Sequence, residues 1–414
     1  MAEILELARE LLEGREICDF CLGRQFAKLG HGLSNRDRGR AIRVLLALEE
    51  DKAYEEPDFC QLCLGHLPRV EEWAERALGA LTGLEFRSFL VGSHLPEFLE
   101  EGERELQRSY GLEHAEPLKH DLNREVGKRL EAALQGRAEV DLRSPEVTIL
   151  LDLVWDRVEV KISPLFISGR YRKLVRGIPQ THWPCRACRG RGCPRCDFTG
   201  KRYQESVEEL ISPPILRAAQ GSGSTFHGSG REDIDARMLG EGRPFVLEIR
   251  EPRVRSLDLE ALAREINEQA EGKVEVRDLS FTTREAVAKV KGTRAEKLYR
   301  AAVEFDRPVR AEELERALEG LIGPIIQRTP KRVAHRRADL VRRRRVFAAK
   351  GELVNKGGDG PSREAMIEVR CDAGLYVKEL LTGDEGRTSP SLAELLGRPV
   401  RVTALDVLEI LEEG

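Results

Sequence analysis

The chain has 414 residues, 41% hydrophobic, 34% charged and only 5% aromatic, with a formal net charge of −4. That length exceeds one ordinary hydrophobic core, so two or three domains are expected. No apolar run approaches about 18 residues, which excludes a membrane-spanning helix; Met1–Arg15 alternates acids with leucines like an amphipathic helix rather than a secretory leader, so a cytoplasmic location is expected.

Residues 1–70 read as a helical module that carries Cys18, Cys21, Cys60 and Cys63. Residues 71–199 read as a second domain, with helical patterns from Val70 to Leu134 and one strand-like run, Phe86–Val91. A hairpin follows, in which Val147–Val154 turns through Trp155-Asp156-Arg157 into alternating Val158, Val160 and Ile162. Pro164–Gly177 reads as a basic loop, and a compact knuckle with Cys185, Cys188, Cys193 and Cys196 closes the domain. Residues 200–414 have an α+β pattern. Asp258 caps a helix with Leu259, Leu262 and Ile266 on one face. Lys273–Leu279 and Glu285–Lys291 are expected as strands, and Arg294–Phe305 as a helix. A Gly-rich hairpin tip, Asn355–Pro361, precedes the strand-like Met366–Cys371.

Eight of the nine cysteines form four C-x-x-C pairs. Two intervening residues let both thiolates reach one ion, and two such knuckles complete a tetrahedron around zinc. Two structural zinc ions per chain are therefore expected. With four thiolates each, neither site keeps an open position for catalytic water, and neither is expected to face a catalytic pocket. Disulfides would need an oxidising compartment, for which the sequence has no sign. Cys371 is expected to be a buried structural thiol.

Charge is unevenly spread. From Gln327 to Arg345 the chain carries Arg328, Lys331, Arg332, Arg336, Arg337 and Arg342–Arg345 against the single acid Asp339. Interleaved valines and Leu340 place this run in a folded element, and a cationic stripe on an acidic protein is the footprint of phosphate contacts.

Three motifs stand in order: Gly230-Arg231-Glu232-Asp233 after the flexible run 221–225, Lys297-Leu298-Tyr299, and Gly374-Leu375-Tyr376-Val377-Lys378. Their order resembles the pseudouridine synthase superfamily, and within it the archaeal and eukaryotic tRNA synthase family that acts on the T loop. Ser168–Lys173 resembles a segment of its THUMP-type RNA-binding domain. The resemblance implies a mixed-sheet catalytic domain beside a zinc-bearing THUMP-type domain, converting uridine to pseudouridine at tRNA positions 54 and 55. It makes Asp233 the nucleophile in preference to Asp235, with Lys378 as its countercharge. Tyr299 would stack on the flipped base, and Tyr376 and Arg231 would line the pocket. Arg170, Arg172, Lys173 and Arg176 would grip the acceptor end, and Arg328 and Arg336 the modified arm.

The reaction is an isomerisation, so no organic cofactor is expected. tRNA is the expected partner, with no obligate protein partner evident. THUMP domains also occur in tRNA methyltransferases and thiolation enzymes, but the Gly-rich stretch 221–230 follows no strand-like run and holds no lysine for phosphates. A non-catalytic zinc-bearing RNA adaptor would not need Asp233, Tyr299 and Lys378 together.

Overall fold

The structure is a computed structural model that describes residues 2–292, 294–335, 337–354 and 360–411. Most of the Gly-rich tip at 355–361, and Arg336, lie outside the described residues. The chain forms two compact units: Met1–Pro164 with Arg250–Ser256, and Leu165–Ile249 with Leu257–Gly414.

In the first unit, strands β1 (Ser88–His94), β2 (Glu139–Val140), β3 (Val147–Asp152) and β4 (Arg157–Ile162) form a sheet in the order β2-β1-β3-β4. The expected hairpin is β3–β4, antiparallel in register from Val147↔Ile162 to Asp152↔Arg157. Alternate residues Val147, Ile149 and Leu151 are fully buried, as a period of two requires of a one-sided sheet. Helices Val70–Ala80 and Leu118–Leu134 supply Trp73, Leu122 and Val126 to the same core. That core also contains Cys18, Cys21, Cys60 and Cys63, so the module at 1–70 shares one interior with the sheet. Helices Asp19–Arg24 and Asn35–Glu49 touch through glycines: a Cβ on Gly23 would meet the Asn35 carbonyl oxygen at 1.8 Å.

The second unit is built on a ten-stranded mixed sheet. Its strands are β5 (Leu165–Lys173), β6 (Gly223–Gly228), β7 (Ala236–Arg250), β8 (Val274–Thr282), β9 (Glu296–Val309), β10 (Gly323–Arg328), β11 (Val341–Leu353), β12 (Ser362–Cys371), β13 (Thr388–Ser389) and β14 (Val400–Leu411). The order is β13-β10-β11-β12-β9-β14-β7-β5-β8, with β6 paired to β7. One apolar cluster gathers Ala301, Val303, Phe305 and Val369; another gathers Ile211, Phe245, Leu247 and Ile266, and Tyr299 packs against both.

Four expectations change here. Residues 294–305 are not a helix but the start of β9, where Ala301, Val303 and Phe305 are buried at every second position and both edges pair, with β12 and β14. Glu285–Lys291 is not a strand but lies in the helix Arg284–Gly292, which buries no residue; its Ala, Glu and Lys content favours helix where no sheet neighbour competes. Pro164–Gly177 is not a loop, since Leu165–Lys173 is β5, hydrogen-bonded between β7 and β8. The division therefore falls at Pro164/Leu165 instead of 199/200, and the second cysteine knuckle sits in the second unit.

Candidate active site

The Gly-Arg-Glu-Asp turn joins β6 to β7. Gly230 has φ +75°, which favours glycine, and a Cβ there would stand a tight 3.3 Å from both Arg243 Nη1 and Lys297 Nζ. Beneath the turn, Glu232 is buried and paired with Arg243, Nε to Oε2 at 2.8 Å. The Tyr171 hydroxyl donates to Glu232 at 2.9 Å, and Gln180 Nε2 donates to the Gly230 carbonyl at 2.9 Å. Burial would raise the Glu232 pKa, but the charges of Arg243 and Lys173 outweigh it and hold the carboxyl below its usual range. This anchor was not legible in the sequence. Glu232 lies 11 residues from Arg243 and 61 from Tyr171, and only the β5–β7 pairing brings them together.

Lys173 belongs to that anchor. Fully buried, it donates from Nζ to the carbonyls of Ile178, Asp233 and Ile234 at 3.0, 3.1 and 3.2 Å. The expected phosphate contact is therefore corrected to a backbone clamp on the 230–235 turn. Its neighbours are also engaged: Arg170 Nε donates to the Glu241 carbonyl, Arg172 pairs with Glu275 at 2.9 Å, and Arg176 pairs with Asp406 at 2.5 Å. All four belong to the second unit rather than to the one that holds residues 1–164.

Above the anchor opens a cavity of about 1140 Å³ whose walls include Asp233, Asp235, Tyr299, Tyr376 and Lys378. Three motifs far apart in the chain thus meet. Asp233 is gripped by Arg332, Nη2 to Oδ2 at 3.0 Å and Nη1 to Oδ1 at 3.1 Å. Arg332 Nε is held in turn by the buried Glu379 at 2.6 Å. Burial raises the Glu379 pKa despite the guanidinium beside it. Lys378, at the start of the short helix Val377–Thr382, reaches Asp235 Oδ2 at 2.6 Å and Asp233 Oδ2 at 3.6 Å. Burial opposes ionisation of Asp235, but the Lys378 hydrogen bond and charge keep its pKa low.

Tyr299 presents from β9 with its hydroxyl pKa pushed up, chiefly by burial, then by Cys371 and, with smaller effect, Asp233; it stays a neutral ring. Lys297, two residues earlier on the same strand face, also lines the cavity, and burial followed by the nearby Arg243 lowers its pKa to about 8. The motif containing Tyr376 lies on a turn: Tyr376 caps the Val377 helix, exchanges two backbone hydrogen bonds with the Gln327 side chain at 2.8 and 3.0 Å, and lies under the Arg332 guanidinium.

The basic run divides by strand alternation. Arg342 and Arg344 line the cavity, while Arg343 and Arg345 are more exposed on the other face of β11. Arg328 pairs with Asp339 at 2.6 Å. Arg332 was part of the basic run in the sequence, but its role as partner of Asp233 could not be read without the fold.

Each cysteine set is gathered for a metal ion, its four sulfurs within 4.8 Å of one another, and all eight thiols are free of disulfides. Sulfur separations of 3.8 Å for Cys18–Cys63 and 3.7 Å for Cys193–Cys196 match the edge, about 3.8 Å, of a tetrahedron with metal–sulfur bonds of about 2.3 Å. The residues fit the ion. The second set does not lie away from the pocket as expected: Arg186, inside the knuckle, lines the cavity together with Trp183, Arg202 and Tyr203.

A mixed sheet with an aspartate turn, a central-strand tyrosine and a helix-start lysine around one cavity is the architecture of a pseudouridine synthase catalytic domain. Residues 166–411 match the family model described as Pus10, C-terminal, and residues 73–152 match the Pus10 THUMP domain, archaeal. The chain is 49% identical to the tRNA pseudouridine synthase Pus10 of Methanothrix thermoacetophila, covering 99% of this chain and 95% of that one. It is 46% identical to the protein of the same name from Methanopyrus kandleri, with 99% of each chain covered, and 41% identical to that of Pyrococcus furiosus, with 99% and 98% covered. A chain from the crystal structure of a Cbf5-Nop10-Gar1 complex is 15% identical with a TM-score of 0.32, over 50% of this chain and 46% of that one. The chain belongs to the Pus10 family.

Proposed function

We infer that the chain isomerises uridine to pseudouridine in tRNA, with the T-loop positions 54 and 55 as its targets. The observation that carries this reading is the meeting of Asp233, Tyr299 and Lys378 in one cavity, in a chain that shares 41 to 49% identity with full-length synthases named for that activity. In the reaction the N1–C1′ bond breaks, the uracil turns while bound, C5 bonds to C1′, and the C5 proton is lost as N1 gains one. Asp233 opens this sequence, either by attack on C1′ or by removing the C2′ proton. Arg332 holds it aimed through a two-pronged guanidinium contact. Tyr299 offers a neutral ring for the flipped base, with Tyr376 beside it and Arg231 on the turn. The anchor of Glu232, Arg243 and Lys173 fixes the turn so that little reorganisation is needed.

The THUMP match at 73–152 supports the first unit as the RNA-docking domain, and Arg342 and Arg344 serve phosphates near the pocket. Each cysteine set holds one structural zinc ion, which supplies rigidity to its loop. Among the described residues no helix is long and apolar enough to cross a membrane, in keeping with a cytoplasmic location. The test is incubation of an unmodified tRNA transcript with purified protein and no added cofactor, followed by site mapping of pseudouridine. Product at 54, 55 or both supports the reading, and an unmodified transcript overturns it.

A further inference from the structure

The base of the second cysteine knuckle carries an aromatic and cationic cluster, Trp183, Arg202 and Tyr203, to which the isomerisation gives no role. Pro184 and Lys201 form an isolated antiparallel bridge, and the Arg202 N–H donates to the Trp183 carbonyl at 2.9 Å. These contacts set Trp183 beside Tyr203, with ring centroids 5.7 Å apart at 78°. The Arg202 guanidinium lies 5.2 Å from the Trp183 ring centre and 5.4 Å from that of Tyr203. Arg231, from the catalytic turn, lies 4.7 Å from the Trp183 ring centre.

Neither Trp183 nor Tyr203 belongs to an apolar core; both are half-buried and line the same cavity as Asp233. The knuckle's backbone is itself tied by the bridge and by the Cys185 N–H to the Gly200 carbonyl at 2.7 Å. Aromatic rings interleaved with guanidinium groups are what unpaired nucleotides require: a face for the base and charge for the phosphates.

We propose that Trp183 and Tyr203 form a stacking platform for a second, unpaired nucleobase of the RNA, next to the uridine held at Asp233. Arg186, Arg202 and Arg231 face the phosphates that flank it. The proposal rests on the reading that RNA enters this cavity. It makes the second metal knuckle a part of the RNA site.

The test uses the full chain and a tRNA transcript. Trp183→Leu is expected to raise Kd by roughly tenfold or more, with Trp183→Phe recovering most of the affinity and both variants keeping the metal content of the unaltered protein. Transcript bearing 5-iodouridine in the T loop is expected to crosslink on irradiation to the peptide containing Trp183 or Tyr203. Equal affinity for the Leu and unaltered proteins, or crosslinks confined to other peptides, overturns the platform. Pseudouridine formation by the unaltered chain is measured on the same transcript. Product with unchanged Leu affinity would reject the platform alone, whereas absence of product would reject the enzymatic reading.

Discussion

Lys378 Nζ stands 2.6 Å from Asp235 Oδ2 but 3.6 Å from Asp233 Oδ2. The lysine expected as the countercharge of Asp233 is thus engaged mainly by the second aspartate, and Arg332 takes the closer place on Asp233. The two carboxylates are thereby separated in role: Asp233, partly shielded, turns toward the cavity with a guanidinium behind it, and the more exposed Asp235 balances the ammonium.

Asp233→Asn should abolish pseudouridine formation while leaving tRNA affinity within a few-fold, because one carboxylate adds little to a polyanion interface. Asp235→Asn should lose less than about tenfold in single-turnover rate, since the freed Lys378 can still serve Asp233. Single-turnover assays with both variants check the assignment; loss in Asp235→Asn with turnover in Asp233→Asn would reverse it.

Arg332 has two partners, and its removal should separate two effects. Arg332→Leu leaves Glu379 buried without its cation, which should cost about 1–3 kcal/mol given the partial exposure of the arginine. The double variant Arg332→Leu/Glu379→Gln should regain that stability in urea melts yet remain slow, because Asp233 still lacks its guanidinium. Recovery of the rate together with stability would show that Arg332 is structural only.

How far the sequence reaches is visible in these residues. Asp233, Tyr299, Tyr376 and Lys378 could be named because their motifs keep residue type and order, which suffices to bring them to one cavity. The partners that tune them could not, because Glu232–Arg243, Lys173 and Arg332–Glu379 are joined only by strand pairing and chain reversal. Lys173 looked like a phosphate contact since it stands in a basic stretch; β5 turns it inward. The 294–305 segment was expected as a helix opened by Gly292-Thr293, whereas the alternation that marks β9 begins only at Ala301. Both cysteine sets were legible because C-x-x-C spacing is itself geometry, but the position of the second at the pocket was not.

The arginine run offers a face-specific test. If Arg342 and Arg344 neutralise phosphates, changing both to Gln should shallow the slope of log K against log salt by roughly 0.7 to 0.9 for each phosphate left without its cation. The same change at Arg343 and Arg345, on the opposite face of β11, should leave the slope nearly unaltered. Equal effects from the two pairs would assign the run to general surface charge.

Metal removal should act differently at the two sets. Elemental analysis should find about two zinc ions per chain. Cys60→Ser should destabilise the first unit, whose core includes the cysteines. Cys193→Ser should weaken tRNA binding more than it lowers the melting temperature, since that knuckle packs as a small cluster of its own. Failure to find metal in metal-replete protein would reject both sites.

Lys297 makes stability depend on pH. Its folded pKa, lowered by burial and then by Arg243, is about 8 against an ordinary 10.5. Below about pH 8 both states carry the charge and the fold bears its full cost. Between about 8 and 10.5 the unfolded chain holds a proton that the folded chain has released, so this contribution to stability rises with pH. Lys297→Met should therefore be more stable at pH 7, by on the order of 2 kcal/mol, and its advantage should shrink toward pH 10. Parallel stability curves across that range would show that Lys297 keeps its proton.

The strand nearest the C-terminus, β14, lies in the middle of the second sheet, antiparallel to β9 on one side and parallel to β7 on the other. Its Asp406 also fastens Arg237, which follows the turn that carries Asp233, and Arg176, which donates to the Asp235 carbonyl. β14 is thus the strand that joins the β10–β11–β12–β9 half of the sheet to the half that carries Asp233. Tyr299 and Asp233 meet across this strand. A chain cut short before Val400 should therefore be inert however well its separate halves have formed.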